Sequence, residues 1–126
     1  MTDNIKNIRK HLLNDTTFKT LLNDKDAIYL IEKPIKSVEN PYIVYLYKPI
    51  GTGGYITDFQ IEFRIVGKDL TKLTSLQNRM ITLLDFNRDT QPIEGIRHCK
   101  LLNGGGMVRN PETDNYELIV FFLCKI

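Results

Sequence analysis

Asp58 and Glu62 stand four residues apart in the stretch TDFQIEFR, and Arg64 follows two positions later. On an extended strand that spacing puts all three side chains on one face. Two carboxylates beside a cation can hold a divalent metal and cleave a phosphodiester. The nuclease form of this chemistry wants an acidic residue followed two positions on by lysine, and Glu62-Phe63-Arg64 supplies arginine instead. The plainer reading, a solvated face on a half-buried strand, is the stronger one. His98 and Cys99 are neighbours, so on a strand they point to opposite faces and share no metal. His11 sits among polar residues on a separate segment. The two cysteines, Cys99 and Cys124, are too few for a disulfide framework and lack zinc spacing. No catalytic, metal-binding or cofactor-binding residue is assigned, and the chain is expected not to be an enzyme.

Two glycine clusters, Gly51-Thr52-Gly53-Gly54 and Gly104-Gly105-Gly106, invite a phosphate-binding reading. A phosphate cradle needs a strand before it and a helix N-terminus after it. Both clusters lie between strand-like segments and are read as hairpin loops. Tyr42, Tyr45, Tyr47 and Tyr55 could stack single-stranded nucleic acid, which is the alternative function carried forward. Tyr42 and Tyr45 differ in strand parity, however, and basic residues near them are few.

The elements that position these residues centre on Thr57–Phe86. Phe59, Ile61, Phe63 and Ile65 alternate with Asp58, Gln60, Glu62 and Arg64, the period of a strand with one buried face. After Gly67 the period lengthens. Leu70, Leu73, Leu76, Met80, Leu83 and Leu84 form the stripe of an amphipathic helix, with Asp69 at its N-cap. The strand face Phe59/Ile61/Phe63/Ile65 is expected under Leu73/Leu76/Met80/Leu83. Upstream, Ile5, Ile8, Leu12 and Leu13 predict a short helix ending near Asn14, and Asp15 caps a further turn or two carrying Phe18, Leu21 and Leu22. Ala27–Ile31 is a short β-prone run, and Tyr42–Tyr47 (YIVYLY) reads as a central strand, apolar on both faces. Pro49–Gly54 is expected to be a flexible hairpin loop. Ile96–Leu102 is expected to be a strand ended by the Asn103–Gly106 run, and Tyr116–Ile126 a terminal strand. If these last two pair across Pro111-Glu112, Cys99 faces Cys124 and Leu101 faces Phe122, with drift near the glycines. The cysteine pair is expected to pack as thiols without a bond.

The 126 residues are expected to form a single α+β domain, residues 1–126, with a mostly antiparallel sheet packed on one long helix and a short N-terminal helical segment. Hydrophobic content of 42% and charged content of 25% are those of an ordinary soluble protein. A net charge of +2 is too weak to argue for nucleic acid or an acidic membrane. No apolar run approaches the roughly 20 residues that cross a bilayer, and MTDNIKNIRKHLL lacks a signal-peptide core, so a cytoplasmic location is expected. YIVYLY and LIVFFLC carry more apolar strand surface than one thin helical layer covers, which points to a partner.

A short amphipathic helix, then Asn40-Pro41-Tyr42-Ile43-Val44-Tyr45 and a Gly-rich loop, then FQIEFRIVGKDLTKLTSLQNRMITLL and a terminal strand pair, together span nearly the whole chain. This layout resembles the tail completion proteins (tail terminator, or head–tail joining) of long-tailed bacteriophages. The resemblance implies a small α+β subunit that assembles as a ring, a hexamer in that family. Such a ring caps the tail tube, joins the head connector or neck protein, and lets DNA pass without sequence-specific binding. It implies no catalytic residues, no cofactor and no membrane. It also implies residence in the host cytoplasm during assembly and then at the tail–head junction. Lys48, Gly51, Thr52, Gly53, Gly54 and Tyr55 are expected to form a mobile partner-docking loop, since glycines lower the cost of several conformations at a domain edge.

Overall fold

The computed structural model describes residues 2–30, 41–52, 55–86 and 92–126. In chain order the elements are α1 (Thr2–Asn14), α2 (Thr16–Leu21), β1 (Ile28–Leu30), β2 (Tyr42–Thr52), β3 (Tyr55–Gly67), α3 (Leu70–Leu84), β4 (His98–Asn110) and β5 (Asn115–Lys125). The five strands form one sheet in the order β1-β2-β3-β5-β4. Among the described residues the β1–β2 pair is parallel, and the β2–β3, β3–β5 and β4–β5 pairs are antiparallel. The architecture is the expected α+β arrangement.

Alternation on β3 decides which side of the sheet is covered. Phe59, Ile61, Phe63 and Ile65 share one core with Ile43 and Tyr45 of β2 and with Val120, Phe122 and Cys124 of β5. Ile5, Ile8 and Leu12 of α1, Phe18 of α2, and Leu73, Leu76, Met80 and Leu84 of α3 close that core from above. All three helices therefore lie on a single face. The aromatic centre of the core is Phe63, whose ring lies 6.0 Å from Tyr45 and 5.9 Å from Phe122, the latter edge to face. The α3 stripe ends on fully buried Leu84 rather than on Leu83, which is only partly buried. From Leu73, steps of three, four and four residues keep pace with a 3.6-residue turn and arrive at position 84.

Gly67 marks the strand-to-helix switch. A Cβ there would sit 3.0 Å from Leu73 Cδ2 and 3.4 Å from Pro41 Cβ, so a larger residue would require the Leu73 side chain to give by a few tenths of an ångström. Asp69 then caps α3, its Oδ1 accepting from the N–H groups of Thr71 (3.1 Å) and Lys72 (3.4 Å).

Asp15 does the same for α2, its Oδ2 accepting from Phe18 N–H at 2.9 Å. It also takes two bonds from Arg79 of α3, at 2.8 Å and 2.6 Å, tying the N-terminal helices to the long one. The Arg79 bond holds the Asp15 carboxyl below its ordinary value despite the opposing effect of burial. A lowered native pKa stabilises the fold at pH values above the unfolded value of 3.8 and ceases to do so as pH falls through the native one. Asp15→Ala is expected to cost about 1–2 kcal/mol at neutral pH, as loss of an N-cap does. Urea titrations at pH 7 and at pH 2–3 check this: the difference between variant and parent should shrink at the acid end, and an unchanged difference would contradict it.

Three expected boundaries shift. β4 does not end at Asn103–Gly106 but runs on to Asn110, with register breaks between Leu101 and Asn103 and between Gly104 and Gly106. β5 holds β4 in place on both sides of the glycines, so they become bulges rather than a loop. Gly106 has a φ of +94°, a conformation costly for any residue with a Cβ. The turn proper lies between Asn110 and Asn115. Likewise, of the expected loop Pro49–Gly54, residues 49–52 are strand, because pairing continues past Ile50 through Gly51–Ile56 to Thr52–Tyr55. Finally, β2 is central only in part, since its partner β1 spans just Ile43–Tyr45. The expected cross-strand pairs Cys99–Cys124 and Leu101–Phe122 both occur, and the register slips at the glycines.

Candidate functional site

Asp58, Gln60, Glu62 and Arg64 lie together on the helix-free face of β3, as their parity requires. Glu62 Oε2 accepts from Arg64 Nε at 2.7 Å, and Arg64 also approaches Glu117 of β5 at 3.6 Å. The bond to Glu62 raises the Arg64 pKa further, so the guanidinium stays charged and occupies the carboxylate that a metal would need. Among the described residues no group of three or more His, Cys, Asp or Glu side chains converges to hold a metal. His11 serves structure, its Nε2 lying 3.3 Å from the Leu83 carbonyl oxygen and linking α1 to α3. His98 and Cys99 do point apart, Cys99 into the core and His98 to the other side.

Tyr42, Tyr45 and Tyr47 do not share one exposed face, and the Tyr55 side chain lies outside the described residues. Tyr45 is buried under the helices and Tyr47 packs at the margin of that core, whereas Tyr42, of the opposite strand parity, is partly buried at the start of β2. Of the docking-loop residues, Lys48, Gly51 and Thr52 lie on β2 and Tyr55 on β3, forming a two-stranded ribbon. Gly53 and Gly54 lie outside the described residues.

What the structure does bring together is apolar. On the helix-free face Val44 and Leu46 of β2 flank the charged row of β3 on one side. Ile119, Phe121 and Leu123 of β5 flank it on the other. All five are only half-buried, and among the described residues no helix covers them. A shallow open depression between Leu46, Lys48, Gln60, Glu62, Arg64 and Phe121 marks the middle of this surface. Exposed apolar residues elsewhere on the sheet are Leu102, Met107 and Val108 of the edge strand β4, of which Met107 opposes core-facing Leu118, and Ile50 at the β2 end.

The sheet edges themselves are blunted. Ile43 N–H donates outward to Ala27 O at 2.8 Å, so alternate β2 residues 43, 45, 47 and 49 direct their backbone groups away from β3, to a side where among the described residues β1 covers only Ile43–Tyr45. Position 49 is proline, which has no donor to offer a new strand. On β4, Phe86 exchanges two backbone bonds of 3.0 Å with Cys99, and two bulges break the remaining edge. Among the described residues both edges are thus poor templates for strand addition. The pattern was visible in the apolar parity of YIVYLY and LIVFFLC; the blunting by Pro49 required the β1 register.

Two hairpins leave opposite ends of the sheet. The β2–β3 ribbon extends beyond Asp58, the last β3 residue paired to β5, while the β4–β5 tip lies at the far end, where β3 stops at Gly67.

The chain shares its fold with a chain from the virion of a native gene transfer agent particle. The likeness has a TM-score of 0.68 at 10% identity and covers 94% of this chain and 90% of that one. No family model matches the chain, and no curated protein sequence matches it. Among the described residues no helix is long and apolar enough to cross a membrane.

Proposed function

We propose that this chain is a structural subunit of a phage-like virion that assembles as a homo-oligomeric ring. The ring caps the tail tube and joins the tail to the head connector. The carrying observation is a helix-free, half-buried apolar sheet face in a fold shared end to end with a virion chain. A ring is built by one heterologous contact repeated until it closes. A sheet face with blunted edges suits such a contact, because it packs against a neighbour without seeding open-ended strand addition. Six subunits, as in the tail terminators it resembles, leave a central opening through which DNA passes without sequence readout. The role is geometric and involves no catalysis.

Hairpins at opposite ends of the sheet suit a ring with two different neighbours. The ribbon holding Lys48, Gly51, Thr52 and Tyr55 is assigned, with Gly53 and Gly54, to docking one of them. The tip at Asn110–Asn115 is left for the other. Assembly in the host cytoplasm and residence at the tail–head junction follow from this role.

Deleting Gly51–Gly54 with a tight-turn replacement is expected to leave the melting temperature within a few degrees of the parent, since the core lies elsewhere. Complementation of a gene deletion by this variant should yield separate heads and tails in electron micrographs. Normal yields of joined particles would remove the docking assignment. If the full deletion itself leaves joined particles at normal yield, the junction role fails with it.

A further inference from the structure

We propose that Cys99 and Cys124 are a latent cross-strand lock, a dithiol that oxidises to an intramolecular disulfide on exchange with a small-molecule disulfide and ties the edge strand β4 to β5. The two residues are direct partners in the β4–β5 register, and their Sγ atoms lie 3.1 Å apart as free thiols. The backbone adds a second observation. Cys99 exchanges both its N–H and C=O bonds with Phe86, so these groups turn away from β5. Cys99 and Cys124 therefore occupy a non-hydrogen-bonded site, where opposed Cα atoms approach to about 4.5 Å, within the span that a disulfide bridges. Joining the sulfurs needs no change of register.

The exchange balances in two steps. One cysteine thiolate attacks the small disulfide and expels one small thiolate, leaving a mixed disulfide on the protein. The second cysteine thiolate attacks the protein-bound sulfur and expels the other small thiolate. Two protein thiols are oxidised and one small disulfide is reduced to two thiols. Both side chains are fully buried. The thiol–thiol contact and burial push the Cys99 pKa up, so the thiolate forms when the β4 edge opens or before the strand docks. Among the described residues β4 pairs with β5 and, at Cys99 alone, with Phe86, and it is bulged twice, which makes its opening the natural route for the reagent. The lock closes 25 positions of sequence and fastens the strand that displays Leu102, Met107 and Val108. It stands whether or not the chain forms a ring.

The test is refolding of the full chain from urea in an oxidised/reduced glutathione couple, followed by thiol counting, intact mass and thermal melting. The expected product is unadducted and intramolecular, with no free thiol and a mass lower by two hydrogens. Its melting temperature should exceed that of the reduced form by about 5 °C or more, with reversal by dithiothreitol. Cys124→Ala should form no internal bond and show no oxidation-dependent shift; Cys99→Ala serves equally if that variant refolds poorly. A parent protein that refolds with two free thiols, with glutathione adducts or as disulfide-linked dimers overturns the proposal. So does an oxidised form that melts below the reduced one.

Discussion

Phe63→Ala is expected to lose about 3–5 kcal/mol of folding stability, the range for truncating a fully buried phenylalanine. Phe63 is 1% exposed and stands at the crossing of the sheet's two aromatic contacts, with Tyr45 on one neighbouring strand and Phe122 on the other. Removing its ring strips an edge-to-face pair as well as apolar area, and neighbours pinned on paired strands have little freedom to collapse into the void. Gln60→Ala on the same strand is the control. Its side chain lies on the helix-free face, and the change should stay within about 0.5 kcal/mol. Equilibrium urea unfolding of the three proteins measures both. A Phe63 variant as stable as the parent would mean that the covered face of β3 has been assigned the wrong way round.

Phe121→Lys should separate folding from assembly. Phe121 is half-buried on the helix-free face and opposes Glu62 across the β3–β5 pair. In the isolated subunit a lysine there gains an opposite charge across the strand and forfeits little buried area, so monomer stability should move by less than about 1 kcal/mol. In an assembled ring the same lysine would be desolvated at the centre of an apolar contact. Substitutions at such central positions cost at least about 2 kcal/mol, which weakens self-association on the order of 30-fold or more. Sedimentation at matched concentrations reads the effect. Equal assembly by parent and variant, with both folded, would show that the contact uses a different surface.

Much of the fold was legible because a few signals are local. The switch from period two to period 3.6 at Gly67 is carried by consecutive residues, and it located β3 and α3 together. The capping residues Asp15 and Asp69 are similarly short-range. The pairing of Cys99 with Cys124 occurs although the expected turn centre, Pro111-Glu112, does not: the turn lies between Asn110 and Asn115, and two one-residue bulges on β4 shift the register back to that pairing. What escaped is non-local. β1 is three residues long, too short to show a period, and its parallel pairing with β2 comes from a separate part of the chain. Glycines at 104–106 look like a strand end until β5 holds both sides of them in register. Arg79 reaches Asp15 across 64 positions, a pairing no spacing rule announces. The candidate surface was half legible. Apolar residues on both faces of two strands announced a surplus, but only the arrangement of three helices on one side shows which half of it stays bare.

The central claim is that this subunit closes into a ring through its helix-free sheet face. Light scattering on protein eluting from a sizing column, across a wide range of loading concentrations, tests it most directly. The account predicts a discrete closed oligomer, or a mass that rises with concentration to a fixed multiple of the 14.6 kDa chain. A mass that stays at one chain at every concentration, with an oligonucleotide retained at low salt, would contradict it and favour a nucleic-acid-binding module instead.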